Sequence, residues 1–243
     1  MSASLTALLL SVVGSVGGLL VASILLVVHS DIRSRVVPWL VSYAVGTLLG
    51  AALLGLVPQA LESIAPQRAL GALLAGIMTF FILEKLVLWR HCHTHDCEVH
   101  ESTVASVMIG DTFHNFVDGA VIAAAVLTSV PLGVSTAVAV AAHEIPQEIG
   151  DFAILLHAGY SRRMALLLNV LSALASAAGA IGAFLAFDIV PRTLPYFLVL
   201  AASSFLYVAM ADLIPGLHRG RTDASSLRQI ILIAAGIATM VLL

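Results

Sequence analysis

Charge is scarce in this chain. Asp, Glu, Lys and Arg together make up 10% of its 243 residues, where a soluble domain carries about 25%. A water-facing globule is excluded, and an ordinary soluble enzyme with it. Positive charge is scarcer still. The 11 Lys and Arg against 14 Asp and Glu leave a net charge of −3, so no basic face is offered to phosphates and a nucleic-acid binder is excluded. Cysteine occurs only at Cys92 and Cys97, in one loop, which rules out a multi-bridge disulfide framework. The alternation expected of a membrane barrel strand is missing too. What the chain has in excess is apolar: 60% of it is hydrophobic and the mean hydropathy is +1.06. The fold class left standing is an all-α integral membrane protein.

A hydrocarbon core about 30 Å thick takes a helix of about 20 residues. Apolar runs bounded by charged or turn-rich segments predict eight transmembrane helices, over 4–28, 39–58, 70–90, 103–127, 134–159, 164–187, 193–214 and 228–243, in one domain covering 1–243. The first run, Leu5 to Val28, is too long for a signal-peptide core, and no Lys or Arg precedes Arg33, so it reads as a retained span. Nine of the 11 cations lie in or beside alternate connections: Arg33, Arg35, Lys85, Arg90, Arg162, Arg163, Arg219, Arg221 and Arg228. Only Arg68 and Arg192 lie on the other side. An odd number of spans would spoil that separation. The positive-inside bias then places both termini outside and the 91–101 loop in the cytoplasm. Short loops point to a bacterial inner membrane.

The fourth and fifth runs are unlike the rest. They hold Asp111, His114, Asn115, Asp118, His143, Glu144, Gln147, Glu148 and Asp151, and no Lys or Arg occurs between Arg90 and Arg162. Ionisable groups at membrane depth are expensive and mark function by default. Five carboxylates without a basic partner are either protonated or joined by a cation, and the imidazoles beside them favour a metal ion. Spacing agrees. His114 and Asp118 lie one turn apart on one helix face, as do His143 and Gln147. Asp111, Asn115 and Asp118 form an i, i+4, i+7 stripe, which Glu144, Glu148 and Asp151 repeat. Mixed imidazole and carboxylate ligands suit Zn²⁺ or a similar first-row ion. More candidates are present than a closed tetrahedral site needs, so either two adjacent metal positions exist or one ion is handed along a path.

Pro146 lies inside the fifth run, where it removes a backbone hydrogen bond and crowds the Ala142 carbonyl; Pro58 and Pro215 offer the same effect in the second and seventh. Between the third and fourth runs lie His91, Cys92, His93, His95, Cys97 and His100. Their spacing is too irregular for a zinc finger, and the tract reads as a loose metal-handling tether.

The stretch from His114 through Asn115 and Asp118 to Gly119, followed by His143-Glu144-Ile145-Pro146-Gln147-Glu148-Ile149-Gly150-Asp151, resembles the paired signatures of ZIP (Zrt/Irt-like) metal transporters. It is most similar to the branch whose fifth helix reads HEIPHEIGD. The resemblance takes in the His-rich loop and Leu206-Tyr207-Val208-Ala209 with Asp212 and Pro215. It implies uptake of divalent metal, chiefly zinc, through a binuclear centre between helices four and five, with access alternating as one helix bundle moves against the other. Carried over by motif, His114, Asp118, His143 and Gln147 fall to one metal position. Asn115 and Glu144 fall to the second, with Asp118 shared and Asn169 facing it. Glu148, Asp151 and Asp111, which belong to the polar stripes and not to that carry-over, read as accessory ligands or parts of the pathway. The chain departs from the branch at Gln147, where the signature has His, and at Gly55, where relatives often place His. A neutral amide is the weaker zinc ligand, which implies looser binding, another metal preference, or a single tight position.

Transport of Zn²⁺, with Fe²⁺, Mn²⁺, Co²⁺ and Cd²⁺ as alternatives of the same ligand class, is thus the expected function. No enzymatic activity and no cofactor are expected, the metal being cargo; the partners are the ions and the bilayer, and a homodimer is compatible with the sequence. The competing readings are a membrane-embedded metal-dependent hydrolase, which needs an open coordination position and a substrate pocket, and a sensor built on the 91–101 loop. His143 and Glu144 half-match the zinc-protease pattern, which requires a second His where Gln147 stands.

Overall fold

The computed structural model describes residues 3–91, 101–218 and 224–243. It is helical throughout, with no strand among the described residues. In chain order the helices are α1 (Ala3–Val27), α2 (Ser30–Gly50), α3 (Val57–Leu61), α4 (Pro66–His91), α5 (Glu101–Thr128), α6 (Val130–His157), α7 (Arg162–Ala173), α8 (Ala175–Ile189), α9 (Leu194–Tyr207), α10 (Ile214–His218) and α11 (Ala224–Leu242). Several run on into one another. Five continuous helical stretches are long and apolar enough to cross a membrane: Ala3–Val27, Asp31–Leu61, Pro66–Lys85, Arg162–Phe187 and Leu194–His218. Helices α5 and α6, of 28 residues each, fall outside that set because of the polar residues they carry.

Two of the long stretches change their winding midway. Ala51–Leu56 and Val208–Leu213 are π-helical. Each wide turn ends two residues before a proline, Pro58 or Pro215. The cause is local: proline cannot donate to the carbonyl four residues back, and its ring crowds that carbonyl. A π turn moves the bonding out by one residue and relieves the crowding. The Val57 N–H accordingly donates to the Ala52 carbonyl and the Ile214 N–H to Ala209, each five residues back. At Pro146 no such change occurs, and α6 runs through it.

The helices gather into two groups. In one, α5 lies along α8 and α6, and α1 along α6; in the other, α2 lies along α11 and α4 along α9. The groups meet chiefly where α2 packs on α6. Small residues set the closest approaches, as expected where lipid supplies no hydrophobic drive between helices. The second half of α5, Ala120 to Val126, is buried in a core it shares with Leu48, Leu56, Leu198 and Phe205. Large apolar side chains such as Ile24, Leu74, Leu185 and Ile230 face outward, which suits a lipid-facing surface.

Candidate metal centre

The polar stripes of α5 and α6 face one another, because the two helices are antiparallel neighbours and the apolar sides of each are taken up by α8 and α1. His114 and Asp118 come from α5, and His143 and Glu144 from α6. One ligand atom from each of these four lies within 4.8 Å of all the others. The His143 Nε2 stands 3.1 Å from His114 Nε2 and 3.0 Å from Asp118 Oδ2. Glu144 Oε1 is 3.8 Å from both imidazoles, and His114 Nε2 is 3.7 Å from Asp118 Oδ2.

One hydrogen bond decides what this cluster can do. His143 Nδ1 lies 3.0 Å from the Ala139 carbonyl oxygen. A carbonyl only accepts, so Nδ1 carries the proton, and in the neutral ring Nε2 presents a lone pair to the centre. That lone pair meets a carboxylate oxygen of Asp118 and a nitrogen of His114. Both Glu144 oxygens are buried without a hydrogen-bond partner, as is Asp118 Oδ2. Electron-rich atoms brought this close in a water-poor interior need a positive charge among them, and an added proton or a metal ion supplies it. The donor set, two imidazoles and two carboxylates, is that of a zinc-type ion. His114 is the one partly exposed member, at 22% against 2% or less for the rest. It lines a cavity of about 630 Å³ together with His143, Asp111, Gln147 and Asp151.

The other sequence-derived candidates fall elsewhere. The Gln147 Nε2 donates to Asp111 Oδ1 at 3.1 Å. Asn115 Nδ2 donates to the same oxygen, also at 3.1 Å. Glu144, which the motif-based division gives to the second metal position, has a carboxylate oxygen 3.8 Å from both imidazoles, and Gln147 lines the cavity beside both histidines. Glu148 on α6 and Asn169 on α7 are fully buried, and every polar side-chain atom of both lacks a partner. Gly18 on α1 backs Glu144, since a Cβ added there would stand 2.8 Å from the Glu144 Cβ. In the His-rich loop, His91 ends α4, while Cys92, His93, His95, Cys97 and His100 lie outside the described residues.

Sequence reasoning passed over Glu84. It lines the same cavity as Tyr207 and Asp212, and the Tyr207 hydroxyl donates to its carboxylate. Its sequence signal is an acid inside an apolar run, masked by the neighbouring Lys85, which makes the pair read as the charged end of a span.

Residues 90–243 match the family model described as ZIP Zinc transporter. Among curated relatives, Zinc transporter ZIP13 of Pongo abelii is 35% identical over 235 residues, covering 87% of this chain and 69% of its own length. Zinc transporter ZIP4 of Homo sapiens is 45% identical over 115 residues, 47% of this chain and 18% of its own length. Zinc transporter ZIP10 of Danio rerio is 39% identical over 132 residues, 53% of this chain and 16% of its own length. The chain therefore spans about two thirds of ZIP13 and less than a fifth of ZIP4 and ZIP10.

Proposed function

Because the chain belongs to the ZIP zinc transporter family, we propose that it carries Zn²⁺, or a similar first-row divalent ion, through the membrane into the cytoplasm. Members of the family are transporters and not enzymes, and the ion is cargo, not cofactor; the hydrolase reading gains no support. The observation that carries the proposal is the convergence of His114, Asp118, His143 and Glu144 on one point with no Lys or Arg among the residues lining the adjoining cavity.

The helices supply eight spans in this reading: α1, α2–α3, α4, α5, α6, α7–α8, α9–α10 and α11. Both termini lie outside, with the 91–101 loop a cytoplasmic tether for metal, and the membrane is a bacterial inner one. The cavity lies in the halves of α4, α5, α6 and α9–α10 that lead to the arginine-bearing connections, so it is the way out to the cytoplasm. On the other side the second half of α5 is sealed into the apolar core. This is an inward-facing arrangement, and alternating access follows if α1, α5, α6 and α7–α8 move as a unit against α2–α3, α4, α9–α10 and α11. A second metal position is offered by Asn115, Glu144, Glu148 and Asn169, whose buried oxygens lack partners.

Purified protein in vesicles is expected to accumulate Zn²⁺ down its gradient, and less so as pH falls, because protons compete with metal for imidazole and carboxylate. Vesicles that gain no more zinc than empty ones would refute the proposal. Gln147→His should tighten zinc binding by about tenfold, roughly 1.4 kcal/mol, since it offers an imidazole and releases the hydrogen bond that holds residue 147 on Asp111. A competition titration against a fluorescent chelator measures it.

A further inference from the structure

Asp111 is held in an unusual way. Two amides, from Asn115 and Gln147, donate to its Oδ1, while its Oδ2 is buried and has no partner. Two donors on one oxygen fix the plane of the carboxylate and leave the other oxygen as a ready-oriented ligand. Asp151 sits one turn beyond Gln147 on the same face of α6, so it lies one turn from the residue that touches Asp111. Its Oδ2 is buried and unpartnered too. The two side chains are 5% and 8% exposed, and both line the 630 Å³ cavity. Neither is among the four side chains of the imidazole-bearing group.

We infer that Asp111 and Asp151 form a further, oxygen-only position for a divalent cation in this cavity, between the imidazole-bearing group and the cavity's cytoplasmic side. The inference rests on the transport reading for its biological meaning, but not for its chemistry. Two carboxylates and the amide oxygen of Gln147 are hard donors, and they accept ions such as Mn²⁺ as readily as the softer Zn²⁺. An ion leaving the histidines would thus exchange nitrogen ligands for oxygen ones over one to two helical turns, about 4.5 Å of axial rise from His114 to Asp111 and about 12 Å from His143 to Asp151. The departure from His at position 147 acquires a purpose, because the amide can both donate to Asp111 and offer an oxygen to the ion.

The probe is Mn²⁺, read by electron paramagnetic resonance on the purified full chain in lipid nanodiscs. Mn²⁺ affinity should fall by about tenfold or more in Asp111→Asn/Asp151→Asn, as expected when two charges leave an oxygen site. The same pair of substitutions is also made in a His114→Ala/His143→Ala background, where Mn²⁺ binding that survives belongs to the oxygen position and should be lost with the aspartates. Asp151→Asn alone leaves the hydrogen bonds of Asp111 in place, so its expected loss of several-fold keeps the test open if the double carboxylate variant does not fold. Unchanged Mn²⁺ binding in the carboxylate variants, no Mn²⁺ binding by the unmodified protein, or none surviving in the histidine background would each overturn the inference. Zinc uptake by the same preparation in vesicles reads the transport proposal separately: a chain that binds Mn²⁺ through these aspartates but moves no zinc defeats that proposal alone.

Discussion

Replacing both His114 and His143 with alanine is expected to abolish zinc accumulation while leaving the bundle intact. The two rings contribute the only nitrogen ligands of the four-residue group. Partners standing behind the ligands of a metal site are typically worth about 10–100-fold in affinity, so losing two ligands themselves should exceed about 100-fold. Little structure depends on the rings. Both line a cavity that already exists, and apart from contacts within the four-residue group their one hydrogen bond runs from His143 Nδ1 to the Ala139 carbonyl of the same helix. Truncating His114 enlarges an open space, whereas His143 is buried edge-on to Phe205, so its loss opens one small cavity at the edge of the core, a cost the bundle should bear. Zinc affinity by chelator competition, read beside the elution profile of the detergent-solubilised protein, separates loss of the site from loss of the fold. Uptake at the unmodified rate would remove these histidines from the transport path.

The helical class was legible because water and lipid sort residues so strongly here. A chain with 10% charged residues has few solutions, and proline and charge mark most of the helix ends. The two π turns were half legible: Pro58 and Pro215 signalled a disturbance, but whether a proline kinks a helix, widens it or leaves it running depends on what packs around the freed carbonyl. Pro146 looks the same in sequence and disturbs nothing that changes the winding of α6. At the candidate site, helical spacing put His114 with Asp118 on one face and Glu144 with Glu148 and Asp151 on another. What spacing leaves open is the rotation of one helix against the other. That rotation brings Glu144 to the histidines and points Gln147 at Asp111. Glu84 belongs to the same class of miss, since its partner Tyr207 lies 123 positions away and only folding brings the two to one cavity.

The α5–α8 interface, which holds α5 in its rotation, should tolerate little change. Gly119 follows Asp118 directly, and a Cβ at that position would fall inside contact distance of the Ser176 backbone carbonyl on α8. Gly179 on α8 meets the Phe116 carbonyl of α5 in the same way. The pair is reciprocal: each helix presses its backbone into the gap left by the other's missing side chain, as small residues allow in membrane bundles. Backbone atoms cannot rotate aside as a flexible side chain can, so an added methyl must push α5 and α8 apart along their length. Overpacking of a core usually costs about 1–3 kcal/mol, and a methyl against rigid backbone belongs at or above the top of that range. Two such methyls approach the about 5–15 kcal/mol that holds a typical protein folded. Gly119→Ala/Gly179→Ala is therefore expected to yield little folded protein, and Gly119→Ala alone a product with a lowered melting temperature and weakened zinc binding, because α5 carries His114 and Asp118. Gly71→Ala, where an added Cβ meets nothing within 4 Å, is the matched control and should behave as the unmodified chain. If the double variant melts within a degree or two of that control, α5 and α8 are not held at the separation described, and the placement of both α5 ligands falls with it.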